Sequence, residues 1–238
     1  MYYTLEWRDS LTNNVSYWIY YTLPPKNSLP WWVTGFCDRS GSFGLTMYRQ
    51  SGSKRWSFKV TFEILLDIKD VHLLNKVKNY FNAGTIYLGK TTATYRISSV
   101  KELKIILDHF SLYPLQSSKV VTYDLWAKAL HLILHNQHQE PSSFNYIMTI
   151  YAALGRGASK SIMQDYPTLV PLHSAPKTID SWWLNGYLTL YCTFVLKVET
   201  AGWGKEMYHK YRHPFSIGFN PNDSQLAQLV AQRLGVAC

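Results

Sequence analysis

Few residues of this 238-residue chain stand where they could do chemistry. Asp38 lies two positions before Ser40, near the end of the stretch Pro30-Trp31-Trp32-Val33-Thr34-Gly35-Phe36-Cys37-Asp38-Arg39-Ser40-Gly41-Ser42-Phe43. A looser copy runs from Ser181 to Phe194, aligning Trp32 with Trp183, Gly35 with Gly186 and Phe43 with Phe194, and it carries Thr189 and Tyr191 at the corresponding positions. Metal-assisted phosphodiester hydrolysis needs paired carboxylates, because Mg²⁺ keeps near-octahedral oxygen coordination and must lower the pKa of its water. A two-residue offset on a helix turns Asp38 about 200° away from Ser40, so Asp38 reads as a helix-stabilising or solvated carboxylate. No second acid faces it.

Other chemistries find no support. His131, His135 and His138 follow helical spacing without a Cys or carboxylate in a zinc pattern. Gly155-Arg156-Gly157-Ala158-Ser159-Lys160 lacks the spacing and the preceding strand of a phosphate loop, and no Gly-x-Ser-x-Gly elbow occurs. Cys37, Cys192 and Cys238 are too few and too scattered for a disulfide framework or zinc site, and Cys37 and Cys192 read as small packing residues in a reducing compartment. We therefore expect neither a metal nor a cofactor.

Hydrophobic content of 47% with 16% aromatics argues for a packed core. A formal charge of +9 points to an acidic partner, most simply nucleic acid. Nothing approaches the ~20 unbroken apolar residues of a membrane span, so a soluble chain is expected. The N-terminus lacks the look of a transit peptide or secretory signal.

The elements that would position these residues follow from periodicity. Residues 1–29 read as an extended arm ending in Pro24-Pro25-Lys26-Asn27-Ser28. A short helix then leads into a strand opening at Phe43. A second strand runs from Trp56 to Leu66, after a turn carrying Lys54 and Arg55. Val71, Leu74, Val77 and Phe81 mark an amphipathic helix, with Asp67 or Asp70 as its cap. Strands at Thr85–Gly89 and Ala93–Ser98 follow, then a helix with Ser98 or Ser99 and Glu102 as a capping box, then a longer helix from Ser117 to His135. Phe144–Leu154 is a further helical segment before a proline-marked connector.

The paired motif stretches, and the ordered runs Asp70–Phe81, Tyr95–Leu103 and Phe110–Leu115, resemble the LAGLIDADG homing endonucleases and group I intron maturases. The resemblance implies an α+β LAGLIDADG homing-endonuclease-like fold with one complete αββαββα repeat. Its second repeat, matching Phe62 to Phe215, Asp70 to Asp223, Leu73 to Leu226 and Val77 to Val230, is expected to be truncated at Cys238. The expected organisation is an arm at 1–29, a first repeat at 30–140, a connector at 141–179 and a second repeat at 180–238. A protein or RNA partner would cover the shortened sheet's edge.

In that family the last motif-helix residue before the Gly turn is an acid that holds divalent metal. Ser40 and Tyr191 occupy those positions here. The resemblance so implies a catalytically inactive, non-enzymatic relative that binds structured RNA. It would work in a mitochondrial ribonucleoprotein such as the mitochondrial ribosome, or as an intron maturase. The alternatives are an active homing endonuclease that cleaves double-stranded DNA with divalent metal, using displaced ligands such as Asp38, and a protein scaffold. Strand alternation puts Leu45, Met47, Val60, Phe62 and Ile97 in the core and Thr46, Tyr48, Gln50, Lys59, Thr61, Thr94 and Arg96 on the opposite face. The resemblance lays that face over nucleic acid. The expected binding residues are Tyr48, Arg49, Gln50, Lys54, Arg55, Lys59, Lys90 and Arg96, continued by Lys197, Lys210 and Arg212 in the second repeat, where Pro214 interrupts a strand.

Overall fold

Leu29–Ser40 forms helix α1, whose first turn closes with Trp32 N donating to the Ser28 carbonyl at 3.1 Å. Its other end is set by Gly41. A Cβ there would lie 2.6 Å from the Cys37 carbonyl oxygen, so only glycine lets the chain pass straight from helix to strand. The computed structural model describes residues 28–49, 56–155, 176, 178–190, 192–194, 197–203, 206–212 and 215–235. The expected arm at 1–29 lies outside them except for its last two residues. No helix among the described residues is long and apolar enough to cross a membrane.

The chain divides into two units, Phe36–Ser174 and a second made of Met1–Gly35 with Ala175–Cys238. In the first, strands β1 (Gly41–Arg49), β2 (Trp56–Asp67), β3 (Thr85–Leu88) and β4 (Thr92–Ile97) form an antiparallel sheet ordered β1-β2-β4-β3. Phe43 stands opposite Phe62, and Phe62 opposite Ile97. Period-two alternation turns Phe43, Leu45, Phe58, Val60, Phe62, Ile64, Tyr95 and Ile97 to one face, where all are buried. Helices α2 (Val71–Phe81), α3 (Val100–Leu112), α4 (Lys119–Leu134) and α5 (Pro141–Gly155) supply the rest of that core. Phe43 lies within 5.2 to 5.8 Å of the rings of Phe62, Phe110, Tyr123 and Trp126, and Phe58 lies 5.0 Å from Phe144 of α5. Each such aromatic contributes on the order of 2–3 kcal/mol by leaving water.

Caps refine the expected boundaries. Asp67 caps a short 3₁₀ turn at Ile68–Asp70 by accepting from Lys69 N, while Asp70, the residue before α2, makes no side-chain cap bond. Ser99 likewise precedes α3 without a side-chain cap bond, so the expected capping box with Glu102 does not form there. Asn82, at φ 50°, closes α2 in the left-handed conformation that Asn tolerates well.

In the second unit, α6 (Ser181–Leu188) starts at Asp180, whose carboxylate accepts from the backbone of Trp182 and Trp183 at 2.8 and 3.1 Å. Strands β5 (Cys192–Phe194) and β8 (Phe215–Ile217) pair, as do β6 (Lys197–Trp203) and β7 (Glu206–Arg212), and α7 (Ser224–Leu234) follows. Trp183, Tyr187, Ile217, Phe219, Leu226 and Val230 form the core. The first turns of α1 belong to this unit. A Cβ on Gly35 would fall 1.9 Å from the Trp183 carbonyl oxygen, so α1 and α6 touch backbone to backbone.

The internal repeat reaches atomic detail. Phe194 faces Phe215 as Phe43 faces Phe62, and Cys192 faces Ile217 as Gly41 faces Ile64. Asn220 caps the 3₁₀ turn Pro221–Asp223 through Asn222 N, as Asp67 caps its own turn. Gly235, at φ 69°, closes α7 where Asn82 closes α2. The expected break at Pro214 lies outside the described residues.

Candidate nucleic-acid interface

The end of α1 is where the motif's chemistry would reside. Ser40 bends back, its Oγ donating to the Phe36 carbonyl at 2.5 Å. Asp38 is buried at 2% exposure, and its carboxylate accepts from Gln116 N at 2.6 Å, Ser117 N at 3.1 Å and the Ser117 hydroxyl. Asp38 thus anchors the segment that leads into α4; it is neither solvated nor free to ligate. The Lys119 ammonium donates to the carbonyls of Gly41, Arg39 and Cys37 at 2.7, 3.2 and 3.4 Å, putting a positive charge on the negative end of α1. Cys37 is fully buried, and desolvation pushes its thiol far up, so it is an inert packing residue.

This arrangement does not fit a divalent metal. Such an ion would meet a neutral hydroxyl already committed to a carbonyl, a carboxylate consumed by three donors, and an ammonium among the carbonyls. Among the described residues no group of three or more His, Cys, Asp or Glu could hold one. Tyr191 lies outside the described residues.

The sheet face away from the helices is open. Thr46 and Tyr48 of β1, Lys59 and Leu65 of β2, and Thr85 and Tyr87 of β3 are exposed on it, while Arg49, also exposed, ends β1 with the parity of Phe43 and Leu45 on the other face. Thr46 stands opposite Lys59 and donates to its carbonyl at 3.3 Å. Arg96 pairs with Glu63 across β4 and β2 through two bonds, Nε to Oε1 at 2.9 Å and Nη2 to Oε2 at 3.3 Å. Its guanidinium lies 5.5 Å from the centre of the Tyr87 ring. Lys90 is exposed beside the turn between β3 and β4. Thr61 departs from its expected exposure. It is buried, with its hydroxyl filling the space over Gly44, where a Cβ would approach to 2.5 Å.

Of the expected binding residues, Tyr48, Arg49, Lys59, Lys90 and Arg96 come together on this one sheet and its turn. Gln50, Lys54 and Arg55 lie outside the described residues. Lys197 and Arg212 stand opposite each other on β6 and β7, with Lys210 opposite Glu199. The pairing of Glu63 with Arg96 left no signal in the sequence, because the β2–β4 register sets it. Sequence reasoning passed over Tyr87, whose alternation within Thr85–Leu88 was the available signal. Lys119 left no signal, since its carbonyl partners lie far off in sequence.

A family model described as LAGLIDADG endonuclease matches residues 33–130. The chain is 39% identical over 124 residues to an uncharacterized 50.9 kDa protein in ND4 intron 1 of Podospora anserina, covering 50% of this chain and 27% of that protein. It is 30% identical over 174 residues to a probable intron-encoded endonuclease 2 of Neurospora crassa, covering 68% of this chain and 38% of that protein. It spans about a quarter to a half of the length of the first curated relatives it matches. Among solved structures, I-SmaMI bound to an uncleaved DNA target with calcium is 30% identical at a TM-score of 0.72, covering 87% of this chain and 72% of that one.

These matches overturn two expectations. The non-enzymatic reading rested on Ser40 and Tyr191 alone, yet similarity along most of the chain leads to proteins named endonucleases and to I-SmaMI bound to cleaved DNA. The RNA partner falls for the same reason, because the solved neighbours are complexes with DNA. Replacement at two positions is a local property. Fold and surface are properties of the whole chain, and they carry the relationship.

Proposed function

The chain belongs to the LAGLIDADG endonuclease family, and on that premise we propose that it recognises double-stranded DNA at a defined sequence and acts as an intron-encoded homing endonuclease. One observation carries the reading. An open antiparallel sheet face of hydrogen-bonding and cationic side chains lies in a chain 30% identical to a meganuclease solved on its DNA target. A sheet face of this kind suits the major groove, where base edges present distinct donors, acceptors and methyl groups. Lys59, Lys90 and Arg49 serve phosphate contacts, while Tyr48, Thr46 and Arg96 serve base edges. On this reading Gln50, Lys54 and Arg55, and Lys197, Lys210 and Arg212 of the second unit, add further cationic and hydrogen-bonding contacts to DNA. The repeats at 30–140 and 180–238, joined through 141–179, would then both contribute to binding. The end of α1 does not by itself fit a divalent metal, so cleavage in Mg²⁺ would need ligands other than Ser40 and Asp38. Relatives named for ND4 and cox1 introns favour a mitochondrial setting.

The test is selection of bound duplexes from a randomised library in calcium buffer, followed by incubation of the enriched target with Mg²⁺. The expected outcome is one enriched sequence, bound in preference to scrambled duplex and folded RNA, with a nick or break at a fixed position. Equal binding to target and scrambled duplex would sink the proposal.

A further inference from the structure

We propose that Arg96 reads a guanine, held for that purpose by Glu63 on one edge and Tyr87 against its face. The inference rests on the DNA-binding reading above and names one base of its target. Arg96 is half-exposed on the open sheet face, with 39% of its side chain accessible. A guanidinium has five N–H donors in a fixed fork. Glu63 engages Nε at 2.9 Å and takes one bond from Nη2 at 3.3 Å, which leaves both hydrogens of Nη1 and one of Nη2 for a ligand. That remaining pair is the fork that meets two acceptors side by side, and in the major groove only guanine presents O6 and N7 together.

The surroundings choose between a base and a phosphate. A phosphate oxygen at Arg96 would sit close to the Glu63 carboxylate, and like charges in that geometry repel. Guanine O6 and N7 are neutral acceptors and meet no such cost. Tyr87, 5.5 Å from the guanidinium carbon, supplies a ring face that favours a cation and restrains its plane. Register fixes the group. Arg96 faces Glu63 on one side and Thr85 on the other, and Tyr87 stands two residues along β3. An arginine so restrained loses less freedom on binding than a free side chain. Glu63 and Tyr87 are positioning residues, acting through Arg96.

The experiment repeats the duplex selection with the full chain and with Arg96→Ala, Arg96→Lys and Glu63→Gln. We expect one guanine in the wild-type site whose preference, on the order of ten- to a hundredfold, disappears in both Arg96 variants while preferences elsewhere in the site persist. Glu63→Gln is expected to weaken the same preference several-fold. It should leave affinity for random duplex equal or higher, since one negative charge is gone; a merely structural Glu63 would weaken all positions together. An orthogonal arm needs no variant: 7-deazaguanine at that position, which removes only the N7 acceptor, should weaken wild-type binding and leave Arg96→Ala unchanged. An unchanged base preference in Arg96→Ala, with duplex still bound specifically, overturns the inference and leaves the DNA reading intact. Failure of the wild-type chain to select any sequence overturns both.

Discussion

Asp38 and His109 show how burial converts a chemically capable side chain into a structural one. Three donors converge on the Asp38 carboxylate from the segment before α4, so removing it strands buried N–H groups and unties that segment from α1. Asp38→Ala is expected to lower stability by about 2–4 kcal/mol, read as the urea midpoint, with the same loss in Mg²⁺ and in EDTA. A loss seen only with metal present would restore a ligand role. His109 is buried on α3, with its Nδ1 3.0 Å from the Tyr80 hydroxyl, and desolvation lowers its pKa from 6.5 to about 4. The unfolded chain therefore binds the proton first as pH falls. The neutral ring's contribution is complete above about pH 6.5 and is lost as pH drops toward 4. That difference amounts to up to about 3 kcal/mol. His109→Gln should flatten the dependence of the urea midpoint across that window, and an unchanged slope would show that other groups carry it.

At the scale of elements, α1 is set by two unusual ends. Its early turns press on α6 so closely that the Gly35 Cα hydrogen is all the space allows. The obstacle is the Trp183 carbonyl, a backbone atom that cannot rotate away. Gly35→Ala should cost about 3 kcal/mol or more, against a gain of under about 1 kcal/mol in helix propensity. A stabilised Gly35→Ala protein in calorimetry would refute the close approach. At the other end, Lys119 satisfies carbonyls that the helix itself leaves unpaired. Lys119→Met keeps the length and loses the donors, so a fall of about 1–3 kcal/mol is expected without a change in far-ultraviolet circular dichroism.

For the whole molecule, the relevant quantity is charge presented to a polyanion. With a formal charge of +9, affinity for duplex DNA should fall linearly with salt on logarithmic axes, in proportion to the phosphates neutralised. Lys59 lies exposed on the open sheet face, and Lys59→Ala should reduce that slope by about 0.9. Arg96→Ala should change the slope less than Lys59→Ala, because Glu63 already balances its charge. Titrations over a range of salt concentrations separate the two; equal effects would place Arg96 among the phosphate contacts.

The elements of the first repeat could be read directly from the chain, because each is a local pattern. The stripe Leu74, Val77, Phe81 belongs to a helix, the alternation Phe58, Val60, Phe62, Ile64 to a strand, and Gly41 to a turn. The repeat was visible for the same reason, and its pairing of Phe194 with Phe215 follows once Phe43 and Phe62 are aligned. What sequence did not determine are contacts between elements distant along the chain. Asp38 reaches the segment before α4, Lys119 reaches back to the end of α1, and Glu63 meets Arg96 only through the β2–β4 register. Those contacts decide what a residue is for: a lone acid became an anchor for the segment before α4, and a surface arginine became a restrained fork. Residue type states which chemistry is possible, and tertiary structure determines which atoms are left free to perform it.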